Sequence, residues 1–258
     1  MKRLNLQGIM LFFVSLLFLT SCLGEGPQVQ PGRTCVVVRF DMKSGKNLLD
    51  VSETESFYSN QFDYASEGNC FFVSYEIDYD KEENSAANIE ANGYILVDVY
   101  HKPEIDRWNV SAVLTDTSQV LMDEVVLNYA IMNGEFVYIK GIFFVNSALI
   151  MPADQQMYWN LSYDYDNMMS EEQGFRYYNV YLRASIRVAS TKSKDGYIIT
   201  NAFDMKNYLE NVANKEKESG GTSFRIRFHY ASEISEDGQI KWSSQDSNEI
   251  RIINIVPE

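Results

Sequence analysis

Apolar and polar residues alternate along most of the chain with a period of two, which is the period of a β-strand. Residues 178–188 show the pattern most clearly, because apolar side chains alternate there with polar ones such as Arg183 and Arg187. The alternation predicts about eleven or twelve short strands. They lie at residues 35–40, 71–78, 94–101, 108–114, 125–132, 136–145, 158–165, 178–188, 224–230, 240–243 and 250–256. Between two of them, Asn133-Gly134 predicts a hairpin turn, since both residues tolerate a positive φ.

One stretch has the period of a helix instead. Asp204 precedes it and can accept hydrogen bonds from the amides of the first turn. Its apolar residues fall on a single stripe: Met205, Tyr208, Leu209 and Val212. We therefore predict one short helix near residues 204–213, followed by a polar loop at 214–221.

The predicted fold class is all-β, with two β domains. A polar break at residues 152–156 interrupts the alternation and suggests the boundary between them. The N-terminal domain, residues 34–151, would be OB-like or a small sandwich. The C-terminal domain, residues 152–258, would be a β-sandwich. A single large sandwich is the alternative.

The amino terminus predicts export and lipid attachment. Lys2 and Arg3 precede an apolar run at residues 9–19, which as a helix would be about 16 Å long, half of a bilayer core. This length is typical of a signal peptide, here residues 1–21. Leu-Thr-Ser-Cys at its end is a lipobox pattern and makes Cys22 the lipid attachment site. An ordinary signal peptide with a chance cysteine is the alternative.

Residues 22–33 are rich in Gly and Pro, which predicts a flexible tether between the lipid and the first domain. Residue 23 is Leu rather than Asp, so the usual inner-membrane retention signal of enteric bacteria is absent. We therefore expect a protein anchored in the outer membrane through the lipid on Cys22. The sequence leaves the periplasmic and the cell-surface faces equally open.

The charge of the chain limits its partners. It has 36 acidic and 22 basic residues and a formal net charge of −14, which argues against nucleic acid and against adsorption to anionic lipid. Neither histidine lies in a nucleophile or zinc motif, so no cofactor, metal or catalytic residue is expected.

Two cysteines remain beside Cys22. Cys35 opens one predicted strand and Cys70 precedes another, and both would reside in an oxidising compartment. A disulfide between them and two separate buried thiols are about equally compatible with this placement.

Aromatic and basic residues suggest a glycan-binding platform. Tyr181 shares the outward side of its predicted strand with Arg183 and Arg187, and Tyr177 leads into that strand. Aromatic rings exposed in this way can stack on sugars. The alternatives are that the rings fill the core and that the arginines pair with acidic neighbours.

A second outward-facing set lies on the strand at residues 224–230. Arg225 and Arg227 would extend the basic surface if the two strands are neighbours, or pair with Asp and Glu instead. His229 is on the same side and is expected to be solvated.

The chain resembles the NigD-like cell-envelope lipoproteins of Bacteroidetes. The matching stretches, besides the lipobox, are residues 123–132 with 136–141, and residues 202–209 followed by the strand at Phe224. The resemblance implies an OB-like first domain, a C-terminal β-sandwich and no catalytic residues to transfer. Two features depart from the family: an acidic run after Cys22 is missing, and residues 35–101 follow the first domain poorly.

These observations predict a non-enzymatic accessory module for binding or assembly in the cell envelope. It would contact the membrane through its lipid, and polysaccharide or other envelope proteins through its β domains. A surface glycan-binding module and a pilus-associated structural subunit are the two alternatives.

Overall fold

A computed structural model describes residues 28–131, 138–252 and 255 of the chain. The predicted signal peptide, the lipid attachment site Cys22 and the turn at Asn133-Gly134 lie outside these residues. The described chain is mostly strand, and the all-β prediction is confirmed.

The first seven strands form one sheet in the order β5-β3-β2-β1-β4-β6, with β7 added to β4. They are β1 (Val29–Asp41), β2 (Lys46–Asp50), β3 (Ser56–Tyr58), β4 (Cys70–Asp78), β5 (Ile95–Leu96), β6 (Asp98–His101) and β7 (Glu104–Ile105). A short helix, α1 (Ala86–Asn92), lies between β4 and β5. Val36, Val38 and Val73 are fully or almost fully buried in the core of this domain.

The remaining described strands form a second sheet in the order β10-β12-β16-β8-β13-β15-β17-β18, with β9, β11, β14 and β19 added to its members. They are β8 (Arg107–Ser111), β9 (Glu124–Val125), β10 (Tyr129–Ile131), β11 (Tyr138–Ile139), β12 (Ile142–Pro152), β13 (Gln156–Ser162), β14 (Met169–Glu172), β15 (Phe175–Val188), β16 (Lys194–Asp204), β17 (Ser223–Ile234), β18 (Ile240–Asp246) and β19 (Ile250–Arg251).

This second sheet is nearly closed into a barrel. Leu127 donates its amide to the carbonyl of Ala231 in β17 at 2.8 Å, and Asn128 donates to Ala148 in β12 at the same distance. Strands from opposite ends of the order are thereby joined. A sandwich was predicted here instead, because an alternation of period two is the same in a sandwich and in a barrel.

The two sheets divide the chain at Asp106, between β7 and β8, rather than at Pro152 as the sequence predicted. β12 and β16 pair continuously from Ile142 opposite Asp204 to Pro152 opposite Lys194, so Pro152 lies within the barrel. The polar break that suggested a linker is a tight turn leading into β13, where Gln155 donates its amide to the carbonyl of Pro152 at 3.1 Å.

The predicted tether is also shorter than expected. β1 begins at Val29 and pairs with β4 from the first residue, Val29 opposite Asp78, so residues 29–33 are strand. Pro31 is tolerated because β2 pairs only with residues 37–41, which leaves one edge of β1 free at this point. Gly32 lies beneath the ring of Tyr75, where a Cβ atom would come within 2.5 Å of the ring.

The helix α2 (Lys206–Glu218) confirms the predicted helix, although it is longer at its C-terminal end. Every residue of the predicted apolar stripe is at most 1% exposed. The N-cap is Met205 rather than Asp204, whose carboxylate accepts only a 3.3 Å hydrogen bond from the Lys206 amide. The helix continues into the predicted polar loop as far as Glu218, because Glu216 is buried and accepts a 2.6 Å hydrogen bond from the Tyr178 hydroxyl.

The domains are packed together through β12, which is buried on both of its faces. Phe143 and Val145 belong to the barrel core, while Ile142 and Phe144 form a cluster with residues of the first sheet. That interdomain cluster contains Cys35, Val37, Cys70, Ile105, Ile139, Ile142, Phe144 and Ala202.

Polar contacts close the rim of the interdomain cluster. The guanidinium of Arg107 donates to the carbonyl of Gly68 at 3.3 Å and pairs with the carboxylate of Asp204. On another side, the Lys140 amide donates to the Glu53 carboxylate at 2.7 Å.

Cys35 and Cys70 are separate buried thiols in this structure. Cys70 lies opposite Val37 and Cys35 lies opposite Phe72, so the two cysteines are diagonal neighbours on one face. Diagonal Cα atoms are about 7–8 Å apart, beyond the range that a disulfide spans without backbone movement. Burial raises the pKa of Cys35 to about 12 and that of Cys70 to about 11.

We therefore expect neither thiol to react with iodoacetamide at pH 8 while the protein is folded, since the reactive thiolate is scarce at that pH. Both should be alkylated once 8 M urea is present. Mass spectrometry of a form that begins at residue 23 measures this directly. A mass lower by two hydrogens, with no alkylation in urea, would show that the cysteines are bonded after all.

Candidate functional site

The structure does not form the glycan platform predicted on β15. Tyr177 and Arg183 are buried, at 7% and 1% exposure, and Tyr181 is half-buried. Of the four predicted residues, Arg187 alone is exposed. Two of the four therefore lack the accessible surface that stacking on a sugar requires.

Arg183 is buried because residues 116–124 fold over the outer side of β15. Its guanidinium pairs with the Glu124 carboxylate, and both side chains are completely inaccessible. The same guanidinium donates to the carbonyls of Asp116 and Gln119, at 2.5 and 2.6 Å. The alternative considered from the sequence, pairing with an acidic neighbour, is the one that the structure shows.

Replacing Arg183 by Met should lower the free energy of unfolding by about 3–5 kcal/mol, because Glu124 would remain buried without a counter-charge. Urea denaturation measures the loss. Arg187→Met is the matched control on the same strand, and its exposed side chain should change stability by less than about 0.5 kcal/mol. Equal effects of the two replacements would show that the buried pair contributes nothing.

The other predicted basic residues stack on aromatic rings of β15. The guanidinium of Arg225 lies 4.2 Å from the ring centroid of Phe175, and that of Arg227 lies 3.9 Å from Tyr177. Arg227 also pairs with Asp246 and Glu172. Both guanidinium groups are engaged in contacts within the barrel wall, so Arg225 and Arg227 do not form a free basic patch.

His229 is packed rather than solvated, contrary to the sequence-based expectation. Its ring stacks on Tyr181 at a centroid distance of 4.6 Å and an angle of 14°. Its Nε2 lies 2.9 Å from Oδ1 of Asn179. Burial, followed by the nearby charge of Arg227, lowers the pKa of His229 to about 4.

This shift predicts a loss of stability in mild acid. Below about pH 6.5 the histidine of the unfolded chain binds a proton, while the folded ring stays neutral until about pH 4. The contribution of neutral His229 to the free energy of unfolding is therefore complete above pH 6.5, and it declines as the pH falls to 4. Urea denaturation between pH 7 and 4.5 should show a shallower decline for His229→Gln than for the natural protein. Identical pH profiles would contradict the shift.

A cleft of about 570 Å³ lies where the chain passes from the first sheet into the barrel. Its position follows from the short strand β8, which pairs in parallel with both β16 and β13. On β16 the pairing begins at Ala202, and on β13 it begins at Leu161. No strand of the described chain lies between the earlier residues of β16 and those of β13, so the barrel wall is interrupted there.

The cleft is lined by residues from the interrupted wall and from the segment that joins the domains. They are Glu104, Asp106, Arg107, Trp108, Gln155, Gln156, Met157, Trp159, Arg187, Ile199, Thr200 and Asn201. Two of its charged side chains already have partners within the protein. Glu104 accepts a 3.0 Å hydrogen bond from Asn69, and Arg107 pairs with Asp204.

Asn201 is the distinctive residue of the cleft. It is 1% exposed, and its Oδ1 accepts a 3.1 Å hydrogen bond from the indole nitrogen of Trp108. An indole can only donate, so the orientation of the amide is determined. Among the residues that the structure describes, its Nδ2 has no hydrogen-bond partner. An unpaired buried donor costs about 1–3 kcal/mol, which an acceptor atom on a bound molecule would offset.

Sequence analysis missed this site, since no strand was predicted at residues 194–204. A run of β-branched residues at Ile198, Ile199 and Thr200 was the available signal. Among the described residues, no group of three or more His, Cys, Asp or Glu side chains is placed to hold a metal ion. No helix in the described part of the chain has the length and apolar character needed to cross a membrane.

Comparison with known proteins agrees with the predicted resemblance. Residues 26–103 match a family described as the lipoprotein OB domain. The chain resembles Bacteroidetes NigD-like lipoproteins. The match includes residues 35–101, in the domain for which an OB-like fold was one of the two predictions. No match was found among curated proteins.

Solved structures that superpose with TM-scores above 0.5 share the fold. An uncharacterized protein from Parabacteroides merdae superposes with a TM-score of 0.74 at 17% identity, over 86% of this chain and 99% of its own. A putative lipoprotein from Bacteroides fragilis has a TM-score of 0.55 at 10% identity, over 84% and 97%. A NigD-like immunity protein from Bacteroides caccae has a TM-score of 0.47 at 13% identity, over 84% and 93%.

Proposed function

We propose that the protein is a lipid-anchored accessory lipoprotein of the outer membrane, that it is not an enzyme, and that it binds a partner in the cleft between its domains. The observation that carries the binding role is the buried, unpaired Nδ2 of Asn201 at a cleft of about 570 Å³. The lipobox at Cys22 and the match of the first domain to a lipoprotein family support the anchor.

The chemistry of the cleft supports binding rather than catalysis. Its Glu104 and Arg107 are held by Asn69 and Asp204, so neither is free to act on a substrate. The remaining lining comprises the charged side chains of Asp106 and Arg187 on the rim, amides, the indole of Trp108 and strand edges, which are groups that recognise charge, shape and hydrogen-bonding pattern.

The two alternatives differ in the support that they receive. Capture of glycan on the β15 platform loses its basis, since Tyr177 and Arg183 are buried. A glycan bound in the cleft itself stays open to test. An assembly role gains support from the interrupted wall, where a strand of another polypeptide can be added.

The anchor and the binding site can be tested together in cells. A photo-cross-linking residue at Gln156, on the exposed rim of the cleft, should yield an adduct, whereas the same residue at the fully exposed Tyr64 of the first domain should not. The protein should fractionate with the outer membrane, and Cys22→Ser should move it to the soluble fraction.

Each half of the proposal has its own opposing outcome. Adducts of equal yield at Gln156 and Tyr64 would show that the cleft does not bind selectively. Membrane fractionation of Cys22→Ser would show that the lipid on Cys22 is not the anchor. Protease treatment of intact and permeabilised cells then places the domains on the surface or in the periplasm.

A further inference from the structure

We propose that the occupant of the cleft is an extended polypeptide segment that pairs as an added strand with the free edge of β16. This inference rests on the proposed function, because it names the class of partner that the cleft binds.

The free edge of β16 consists of residues 194–201. β12 pairs with β16 along its whole length, from Lys194 to Asp204. On the opposite side, β8 pairs only with residues 202–204. Of the described strands, none pairs with residues 194–201 on that side.

The chain itself defines which backbone groups this edge presents. The amide of Ala202 donates to the carbonyl of Asp106 at 3.0 Å, so the backbone of Ala202 faces the line of β8. Alternate residues of a strand face the same edge. Gly196, Ile198 and Thr200 therefore direct their N–H and C=O groups toward the cleft, while the residues between them bond to β12.

The composition of the edge favours pairing with another strand. Residues 197–200 are Tyr-Ile-Ile-Thr, which have high β propensity, and Ile198 is 65% exposed. An unpaired edge of this kind is a template for a further strand, and proteins that leave one free usually protect it with a Pro, a bulge or charges. Here the only charges are Lys194 and Asp195, at the far end.

The width of the opening selects the kind of partner. Residues 155–157 form the opposite side of the cleft, and β8 separates β16 from β13 just beyond it. Neighbouring strands are about 4.8 Å apart, so the gap in line with β8 is about 10 Å wide and admits one strand. A second folded copy would bring its own β16 already attached to β12, and that pair is too wide to enter.

A polypeptide fits this opening better than a saccharide does. The ring of Trp159 is in the barrel core at 3% exposure, and Trp108 has its ring in edge contact with Tyr158 at a centroid distance of 5.4 Å. The long sides of the cleft are therefore strand edges. At its inner end, Nδ2 of Asn201 would donate to an acceptor atom of the inserted segment.

The test begins with a phage-displayed library of random nine-residue peptides, selected on the folded protein. We expect it to yield peptides whose binding slows amide hydrogen exchange at Gly196, Ile198 and Thr200. Ile198→Pro removes an edge donor and should weaken binding at least tenfold, whereas Ile198→Thr keeps the donor and should bind as the natural protein does. Proline is tolerated on a strand edge that faces solvent.

A change in the peptide makes the test independent of the folding of the variants. The backbone amides of alternate peptide residues can be N-methylated, either at the odd or at the even positions. Methylation of one of these two sets should abolish binding and methylation of the other should leave it intact, because only one set of amides faces β16. Binding that is insensitive to both the methylation phase and Ile198→Pro would overturn strand pairing.

The remaining outcomes separate this inference from the proposed function. If no peptide is selected but a saccharide from an envelope polysaccharide panel binds and Asn201→Ala abolishes that binding, the polypeptide is excluded and the binding cleft stands. If the natural protein is a dimer that the peptide does not dissociate and Ile198→Pro is a monomer, a second copy occupies the edge instead. If neither peptide nor saccharide binds, both proposals fail.

Discussion

The structure depends above all on the burial of both faces of β12. Phe143 and Val145 pack into the barrel while Ile142 and Phe144 pack against the first sheet, so one strand contributes to two cores. Burying a side chain of this size stabilises the fold by about 1.5–3 kcal/mol, and β12 contributes buried side chains on both of its faces. The domains are held in a defined relation for this reason, and the cleft at their junction has a defined shape.

The cleft exists because the chain passes from the first sheet to the second within a few residues. Ile105 must lie in the interdomain cluster, while Arg107 must begin β8. The chain therefore departs from the line of β8 at Asp106. Before that residue it does not occupy the space between β16 and β13 in the barrel wall. The same departure leaves the edge of β16 without a partner strand and the amide of Asn201 without an acceptor.

Much of the fold was predictable because burial on one side of a strand leaves a direct trace in sequence. The alternation at residues 178–188 predicted β15, and the apolar stripe after Asp204 predicted α2. The domain boundary was not predictable in this way. A polar turn such as residues 152–156 looks the same whether it joins domains or strands, and only the pairing of β12 with β16 distinguishes the two.

The candidate site was harder to predict, because its parts become neighbours only through long-range pairing. Ala202 lies beside Arg107 although 94 residues separate them in the chain. The outward side chains of β15 were misjudged for a related reason. Nothing local shows that residues 116–124 cover Arg183, or that its charge is balanced by Glu124.

The position of β8 also has a consequence for how the molecule folds. β8 is the first strand of the barrel to be synthesised, yet its two neighbours are β13 and β16, and the latter is made almost a hundred residues later. The first sheet can be completed from residues 29–105 alone, whereas β8 cannot pair until β13 and β16 have been synthesised. Pairing across such separations slows folding, since loop closure precedes any gain from the contact. We therefore expect the first domain to form before the barrel, with the apolar side that packs on β12 exposed to solvent until β12 is in place.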